Sequence, residues 1–252
     1  MSVRTKITGL GRHLTQFLFV EEIRTFTALI RFLFFRMLRP VKSYTKESDA
    51  IAEHALVHNR NKIFQNVIKS QRGNILVRAL VVIPRVRLNL PHSKVLLIGP
   101  RSEAELLGFL AFGFRWKNIR GLDLFSYSPK IDVGDMHELP YENNSFDIVT
   151  ASRVLGYSED QPKAAAEMIR VAKPGGVIAV NAGSQYDSTP DRIQDTLSKL
   201  GYRPGAKKTV YALPDLLALF GDSVDQMYHM NDPAKEPEGQ RGSIVAIFSI
   251  HK

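Results

Sequence analysis

Two positions in this 252-residue chain combine residue type and setting in a way that suits ligand chemistry. Gly99 closes the apolar run "KVLLIG", and a glycine turn after such a strand lets an adenosine cofactor lie against bare backbone. Asp123 nears the end of "GLDLF", where a carboxylate can accept both hydroxyl hydrogen bonds of a ribose. The turn itself is unusual, because Pro100, Arg101 and Glu103 stand where further glycines are expected. Ser102, with Glu105 three residues on, has the spacing of a capping box for the helix that follows. A third candidate is the pair His54 and His58, since four-residue spacing sets both imidazoles on one helical face, as zinc-binding helices do. Here the glutamate precedes the first histidine and no third ligand is indicated nearby, so no metal site is expected.

These residues need elements to hold them. From Lys94 onward, short apolar runs alternate with helical patterns: "KVLLIG", "SEAELLGFLAFGF", "IRGLDLF", "SFDIVTAS", "QPKAAAEMIRVAK", "GGVIAVNAG". That is the βαβ rhythm of a parallel sheet covered by helices. Ligands of such sheets bind at the C-terminal strand ends, near the switch point beside the first strand. Ahead of it, "QFLFVEEIRTFTALIRFLFFRMLRP" carries apolar residues at near-helical spacing with Arg24, Arg31, Arg36 and Arg39 among them. A basic amphipathic helix of this kind either packs on the main domain as a cap or lies in a bilayer interface. Glu21, Glu22, Arg24 and Arg31 break the run before it reaches the roughly 20 apolar residues of a spanning helix. The acidic pair and the lack of a small-residue cleavage pattern count against a secretory signal, so a cytoplasmic location is expected. A second helical pattern covers about Glu47 to Ser70, and "ILVRALVVIPRVRLNLP" predicts a further element ended by Pro84. The organisation expected is a helical cap over residues 1–90 and a main domain over 91–252.

Composition narrows the classes. Hydrophobic residues make up 44% and charged residues 23% of the chain, as in ordinary globular proteins. The absence of cysteine removes disulfides, thiol nucleophiles and Cys-ligated zinc. Through Leu90 there are 16 Lys and Arg against 5 Asp and Glu, and from Pro91 there are 18 against 20. The basic character therefore belongs to the first third, which suits an anionic neighbour such as a phospholipid surface or a phosphorylated acceptor. Nucleic acid is disfavoured, because regularly spaced aromatics and a recognisable RNA-binding module are both missing.

The stretch from Ile131 to Val180 narrows the reading further. It contains "GDMHELPY", "SFDIV" and "RVAKPGG" in that order. In this it resembles class I S-adenosylmethionine-dependent methyltransferases, in particular the branch that resembles quinone, sterol and other small-molecule methyltransferases. The resemblance covers Lys94 to about Gly183 and implies a mostly parallel Rossmann-like α/β sheet. "VDQMYHMND" and "GSIVAIFSIHK" would supply the C-terminal antiparallel strand pair. It implies S-adenosylmethionine as cofactor, with Gly99, Pro100 and Arg101 at its methionine part, Asp123 and Leu124 at the ribose, and Asp135 with the Met136 backbone at the adenine. Ser152 and Arg153 would line the floor near the sulfonium. Asp147 would be structural, and Lys173 to Gly176 a positioning turn.

Two departures stand out. The family's glycine-rich loop and its acidic residue within the first strand are replaced here by "GPRSE" and by Leu96 and Leu97, so Arg101 or Glu103 is expected to reach the methionine carboxylate or ammonium. Seven residues separate Asp123 from Ile131, too few for the crossover of a dozen or more that parallel neighbours need. The third strand is therefore expected to be vestigial or displaced, with that edge open or covered by N-terminal helices. If the cofactor binds, His137 and Tyr157 are the candidate general bases for an oxygen nucleophile. The acceptor expected is a small or lipid-linked molecule, with peripheral contact to an anionic membrane. The competing readings are a methyltransferase-like scaffold that binds a partner without turnover and, further off, a nicotinamide dehydrogenase, which "GDMHELPY" does not fit.

Overall fold

The computed structural model describes residues 17–44, 74–158, 160–183, 212–235 and 242–252. The described residues open with a 3-10 turn at Phe17–Phe19, helix α1 (Glu21–Leu38) and strand β1 (Lys42–Ser43). Helices α2 (Asn74–Val81) and α3 (Pro84–Asn89) follow. Pro84 ends one helix and starts the next, since it occupies the first turn of α3, where its missing N–H costs nothing. The main domain runs β2 (Val95–Ile98), α4 (Glu103–Ala111), β3 (Ile119–Asp123), β4 (Phe125–Ser126), β5 (Ile131–Val133) and β6 (Phe146–Ser152). It continues with α5 (Gln161–Val171), β7 (Ala172–Ala182), α6 (Leu213–Ala218), β8 (Val224–Asn231) and β9 (Ile244–Ile250).

Seven strands form one sheet in the order β5-β3-β2-β6-β7-β9-β8. The first five are parallel, β9 runs antiparallel to β7, and β8 pairs antiparallel with β9. The strand order reverses at β2, whose neighbours are β3 on one side and β6 on the other, so a crevice opens at the end that carries Gly99. Alternate residues of the central strands feed two cores. Leu96 and Ile98 pack with Ala164, Ala165 and Met168 of α5, while Val95 and Leu97 pack with Leu76, Leu80 and Val86 of α2 and α3 and with Leu106 and Phe109 of α4.

The third strand is short but in place: β5 pairs with β3 at the sheet edge from Gly121↔Ile131 to Asp123↔Val133. Its connection contains no helix. Phe125 and Ser126 instead pair with β1, at Ser43↔Phe125 and Lys42↔Ser126. The expected N-terminal cover is α1, which lies on the outer side of α4. Ala28 and Phe32 of α1 meet Ala104, Leu107 and Ala111 of α4 and Tyr127 of the short connection. Phe32 and Tyr127 stack edge to face with centroids 4.9 Å apart. Helix α4 is thereby buried on both sides, which its nearly all-round apolar sequence requires.

The helical pattern at 47–70, and with it His54 and His58, lies outside the described residues. Among the described residues no helix is long and apolar enough to cross a membrane.

Candidate functional site

The turn after β2 departs from a glycine-rich loop in a specific way. Gly99 sits at φ +69°, in the left-handed region that favours glycine, and its N–H donates to Leu122 O at 2.8 Å. A Cβ there would lie 2.8 Å from Cγ2 of Val154, so the Val154 side chain closes over this glycine. Pro100 packs across the neighbouring strand: a Cβ on Gly121 would meet its Cγ at 2.7 Å. The compensating glycine is thus on β3, not in the loop. Ser102 caps α4 as expected, accepting from the Ala104 N–H at 3.3 Å.

Glu103 does not turn toward the ligand crevice. Its carboxylate is fully buried against α1, where Arg31 donates from Nε and, at 3.2 Å, from Nη2, and Ser128 donates its hydroxyl. The Tyr127 hydroxyl accepts from the Glu103 N–H at 3.0 Å. This side chain anchors the N-terminal helix to the first turn of α4. Arg101 is half-buried, and its charge is felt at Asp123.

Asp123 is buried at the end of β3, and burial is the main reason its carboxyl is pushed up to about 7. The backbone N–H groups of Phe125 and Leu124 oppose that rise, nearby Glu105 adds to it, and Arg101 offsets it. Main-chain bonds tie this strand end to its surroundings: Leu124 O accepts from Tyr44 N–H at 2.8 Å, and Asp123 O from Gly134 N–H at 3.0 Å.

The second bond leads directly to the "GDMHELPY" turn. Asp135 Oδ1 accepts the backbone N–H of His137 at 2.9 Å and lies 2.6 Å from Nδ1 of the same residue. On the far side of the ring, Nε2 lies 2.6 Å from Ser158 Oγ. Asp135, His137 and Ser158 therefore form a continuous hydrogen-bonded chain, ordered like the carboxylate, imidazole and hydroxyl of a relay. The hydrogen bond from His137 holds the Asp135 carboxyl below its ordinary range, and the same bond pushes the imidazole up, against the cost of partial burial. Met136, between them, is half-buried against the core on the α5 side.

What fixes this turn is the helix motif that follows it in sequence. Arg170 of α5 donates to Tyr141 O at 2.7 Å and to Leu139 O at 2.9 Å. Glu167 accepts the Leu139 N–H at 2.7 Å and pairs with Arg170 at 2.6 Å. "HELPY" and the helix of "RVAKPGG" are one stapled unit. Asp147 has the structural role expected of it, accepting from Lys94 N–H at 2.8 Å and from Lys173 at 2.7 Å.

At the end of β6, Ser152 and Arg153 are half-buried, and Arg153 sits at φ 56°, an uncommon region for a residue with a side chain. Its N–H donates to Asn181 O at 2.7 Å, while its guanidinium reaches across the strand ends to Ser243 Oγ. Tyr157 closes the 3-10 turn Leu155–Tyr157, half-buried beside Ser158. Asn181, at the end of β7, is buried, and its Oδ1 finds no donor among the described residues. The sequence reading missed Val154, Ser158 and Asn181; only their places at strand ends or in the following loop could have flagged them.

Comparison with known proteins adds a likeness in sequence and in fold. A family model described as a methyltransferase domain matches residues 115–180, the stretch from the approach to β3 into β7. Over this stretch the chain is similar to S-adenosylmethionine-dependent methyltransferases, and its fold is that of the class I members. The chain is 34% identical over 88 residues to norajmaline N-methyltransferase of Rauvolfia serpentina, covering 35% of this chain and 28% of that protein. It is 34% identical over 92 residues to a demethylmenaquinone methyltransferase of Streptomyces griseus, covering 36% of this chain and 40% of that protein. The matches thus span less than half the length of these relatives. In fold it is similar to the N-methyltransferase NodS of Bradyrhizobium japonicum, solved with S-adenosylhomocysteine, at TM-score 0.54 and 14% identity, over 81% of this chain and all of that one.

The family's cofactor is S-adenosylmethionine, and the residues present suit its adenosine half. Asp123 is a buried carboxyl held by the backbone N–H groups of Phe125 and Leu124, with remaining acceptor capacity that ribose hydroxyls can satisfy. Asp135 and the Met136 backbone follow within two residues of Gly134, whose N–H binds Asp123 O. At the methionine end, Val154 and Pro100 occupy space that a glycine-rich loop leaves open.

Proposed function

We propose that the domain binds S-adenosylmethionine across the ends of β2, β3 and the Asp135 turn and transfers its methyl group to a small-molecule acceptor. The cofactor supplies an activated methyl on a sulfonium that carries its own leaving group. Asp123 holds the ribose, Asp135 and Met136 face the adenine, and the turn through Gly99, Pro100 and Arg101 borders the methionine part. The observation that carries this reading is the buried Asp123 carboxyl at the switch point of the sheet, one backbone bond away from the Asp135 turn. For an acceptor that loses a proton, His137 is the base. With Nδ1–H donated to Asp135, the Ser158 hydroxyl donates to Nε2 and can itself accept from the acceptor, so one proton moves to Ser158 as another moves to the imidazole. The orphaned Oδ1 of Asn181 offers a further acceptor at the strand ends. Demethylmenaquinone and norajmaline, named for the two relatives, define the chemical range in which an acceptor screen starts.

Calorimetric titration with S-adenosylmethionine and S-adenosylhomocysteine tests the proposal, and micromolar binding or better is expected. Folded protein that binds neither compound would sink it and return the search to protein partners. Asp123→Ala should weaken the cofactor by about 1 to 3 kcal/mol, the cost of leaving ribose hydroxyls unpaired. Unchanged affinity would remove Asp123 from the site. A proton signature should accompany binding: a carboxyl with its pKa near 7 in the free protein ionises as ribose hydroxyls donate to it. Binding near neutral pH should then release protons and weaken as pH falls below that value. Titrations in buffers of different ionisation enthalpy read this directly, and heats independent of buffer would show that Asp123 does not change its protonation.

A further inference from the structure

Helix α1 is apolar on two sides, and among the described residues the domain covers only one. Arg24, Ala28 and Phe32, four residues apart, form the buried side. Ile23, Phe26, Ile30, Leu33, Phe34 and Met37 recur at helical spacing on the other side, and all are exposed, Phe26 at 62%, Phe34 at 56% and Met37 at 87%. An unbroken stripe of this size is far more than the scattered surface hydrophobics of a monomer. Arg24 is buried and Arg31 is paired with Glu103, which leaves the remaining charges of the helix at its two ends. Glu21 and Glu22 lie in the first turn, whereas the exposed Arg36, Arg39 and Lys42 cluster where α1 ends and β1 begins. That basic end adjoins the ligand crevice: β1 pairs with β4, and Tyr44 N–H binds Leu124 O, next to Asp123.

We infer that the outer side of α1 docks on an anionic lipid bilayer, with its aromatic and aliphatic residues in the interface and Arg36, Arg39 and Lys42 on the lipid headgroups. An apolar stripe with cations at one end matches such a surface in both hydrophobicity and charge. Docking sets the Leu124–Asp123 edge of the crevice toward the membrane, so that an acceptor dissolved in the bilayer reaches the methyl donor without crossing water. The purpose of docking rests on the methyltransferase reading; the docking surface does not.

The test is therefore run without cofactor, as co-sedimentation of the full chain with vesicles of phosphatidylcholine alone or mixed with phosphatidylglycerol. Binding to the mixed vesicles, at least tenfold tighter than to phosphatidylcholine alone, is expected. Phe26→Ser/Ile30→Ser/Phe34→Ser should abolish it while leaving the circular dichroism spectrum and S-adenosylmethionine affinity unchanged. Arg36→Gln and Arg39→Gln should each weaken it by about fivefold. Wild-type protein that stays in the supernatant as a monomer overturns the proposal, because the stripe is then covered by the chain itself. A stable dimer that the triple variant dissolves, with no vesicle binding, overturns it in favour of a second copy. Vesicle binding in protein that fails to bind S-adenosylmethionine would uphold the docking and reject the enzymatic reading alone.

Discussion

His137→Gln is expected to slow methyl transfer to a hydroxyl acceptor by about 100-fold or more, the usual contribution of a positioned base, with cofactor affinity changed only a few-fold. The pH profile separates a base from a merely structural residue. Because the hydrogen bond it donates to Asp135 raises the imidazole above its ordinary value, the base form of His137 grows as pH rises through that raised value. The wild-type rate should climb over that range, and the glutamine variant should be slow and flat. Ser158→Ala should lose a comparable part of the rate if the proton passes through its hydroxyl. A variant that is uniformly slower but keeps the wild-type slope would mean that another group takes the proton. Stability has the opposite dependence. A raised imidazole contributes fully below its ordinary value and loses that contribution as pH rises through the raised one, while the lowered Asp135 carboxyl loses its own as pH falls. The pair stabilises the fold most in the mildly acidic range, where catalysis through His137 is slowest.

Arg31→Ala should lower the unfolding free energy by about 3 kcal/mol, near the lower end of what removing one partner of a buried ion pair costs. The lower end applies because the arginine side chain is 29% exposed, whereas Glu103 is 0% exposed. Its guanidinium also lies 5.1 Å from the ring centroids of both Phe35 and Trp116, and those contacts are lost with it. Among the described residues the glutamate would keep only Ser128 as a side-chain donor. Urea unfolding of Arg31→Ala, Glu103→Gln and the double variant forms a cycle that isolates the pair. The double variant should be more stable than Arg31→Ala, since an amide needs no counter-charge. Additive losses, each below 1 kcal/mol, would mean that water reaches the pair and that packing alone holds α1.

What was legible in the sequence follows from how local each feature is. The strand and helix rhythm after Lys94 is written in consecutive residues, and so are "GDMHELPY" and "RVAKPGG", which the structure joins through Arg170 and Glu167. Asp123 was singled out because a strand end marks it, and the structure buries it at that end of β3. Glu103 was sent to the wrong place because its partner is 72 residues away, and no local pattern links an arginine inside an apolar helix to a glutamate in a cofactor turn. The third strand was underrated for a related reason. Seven residues cannot form a crossover helix, and the helix that covers them comes from the start of the chain. Ser158 meets His137 across 21 residues of sequence, so the contact depends on a closed loop and not on local spacing.

The position of α1 also bears on how the protein is made. Its inner side rests on Ala104, Leu107, Ala111 and Tyr127, none of which has been synthesised when α1 leaves the ribosome. Domain formation in the order of synthesis is therefore unavailable to this helix, which must wait for α4 and the β3–β5 connection before its first apolar side is covered. During that interval both sides are open, and the nascent chain is at its most adhesive before any sheet exists. A shortened protein beginning at β2 would have the complementary fault, leaving the outer side of α4 bare. Helix α1 is thus made early and settled only once α4 and the β3–β5 connection have followed it.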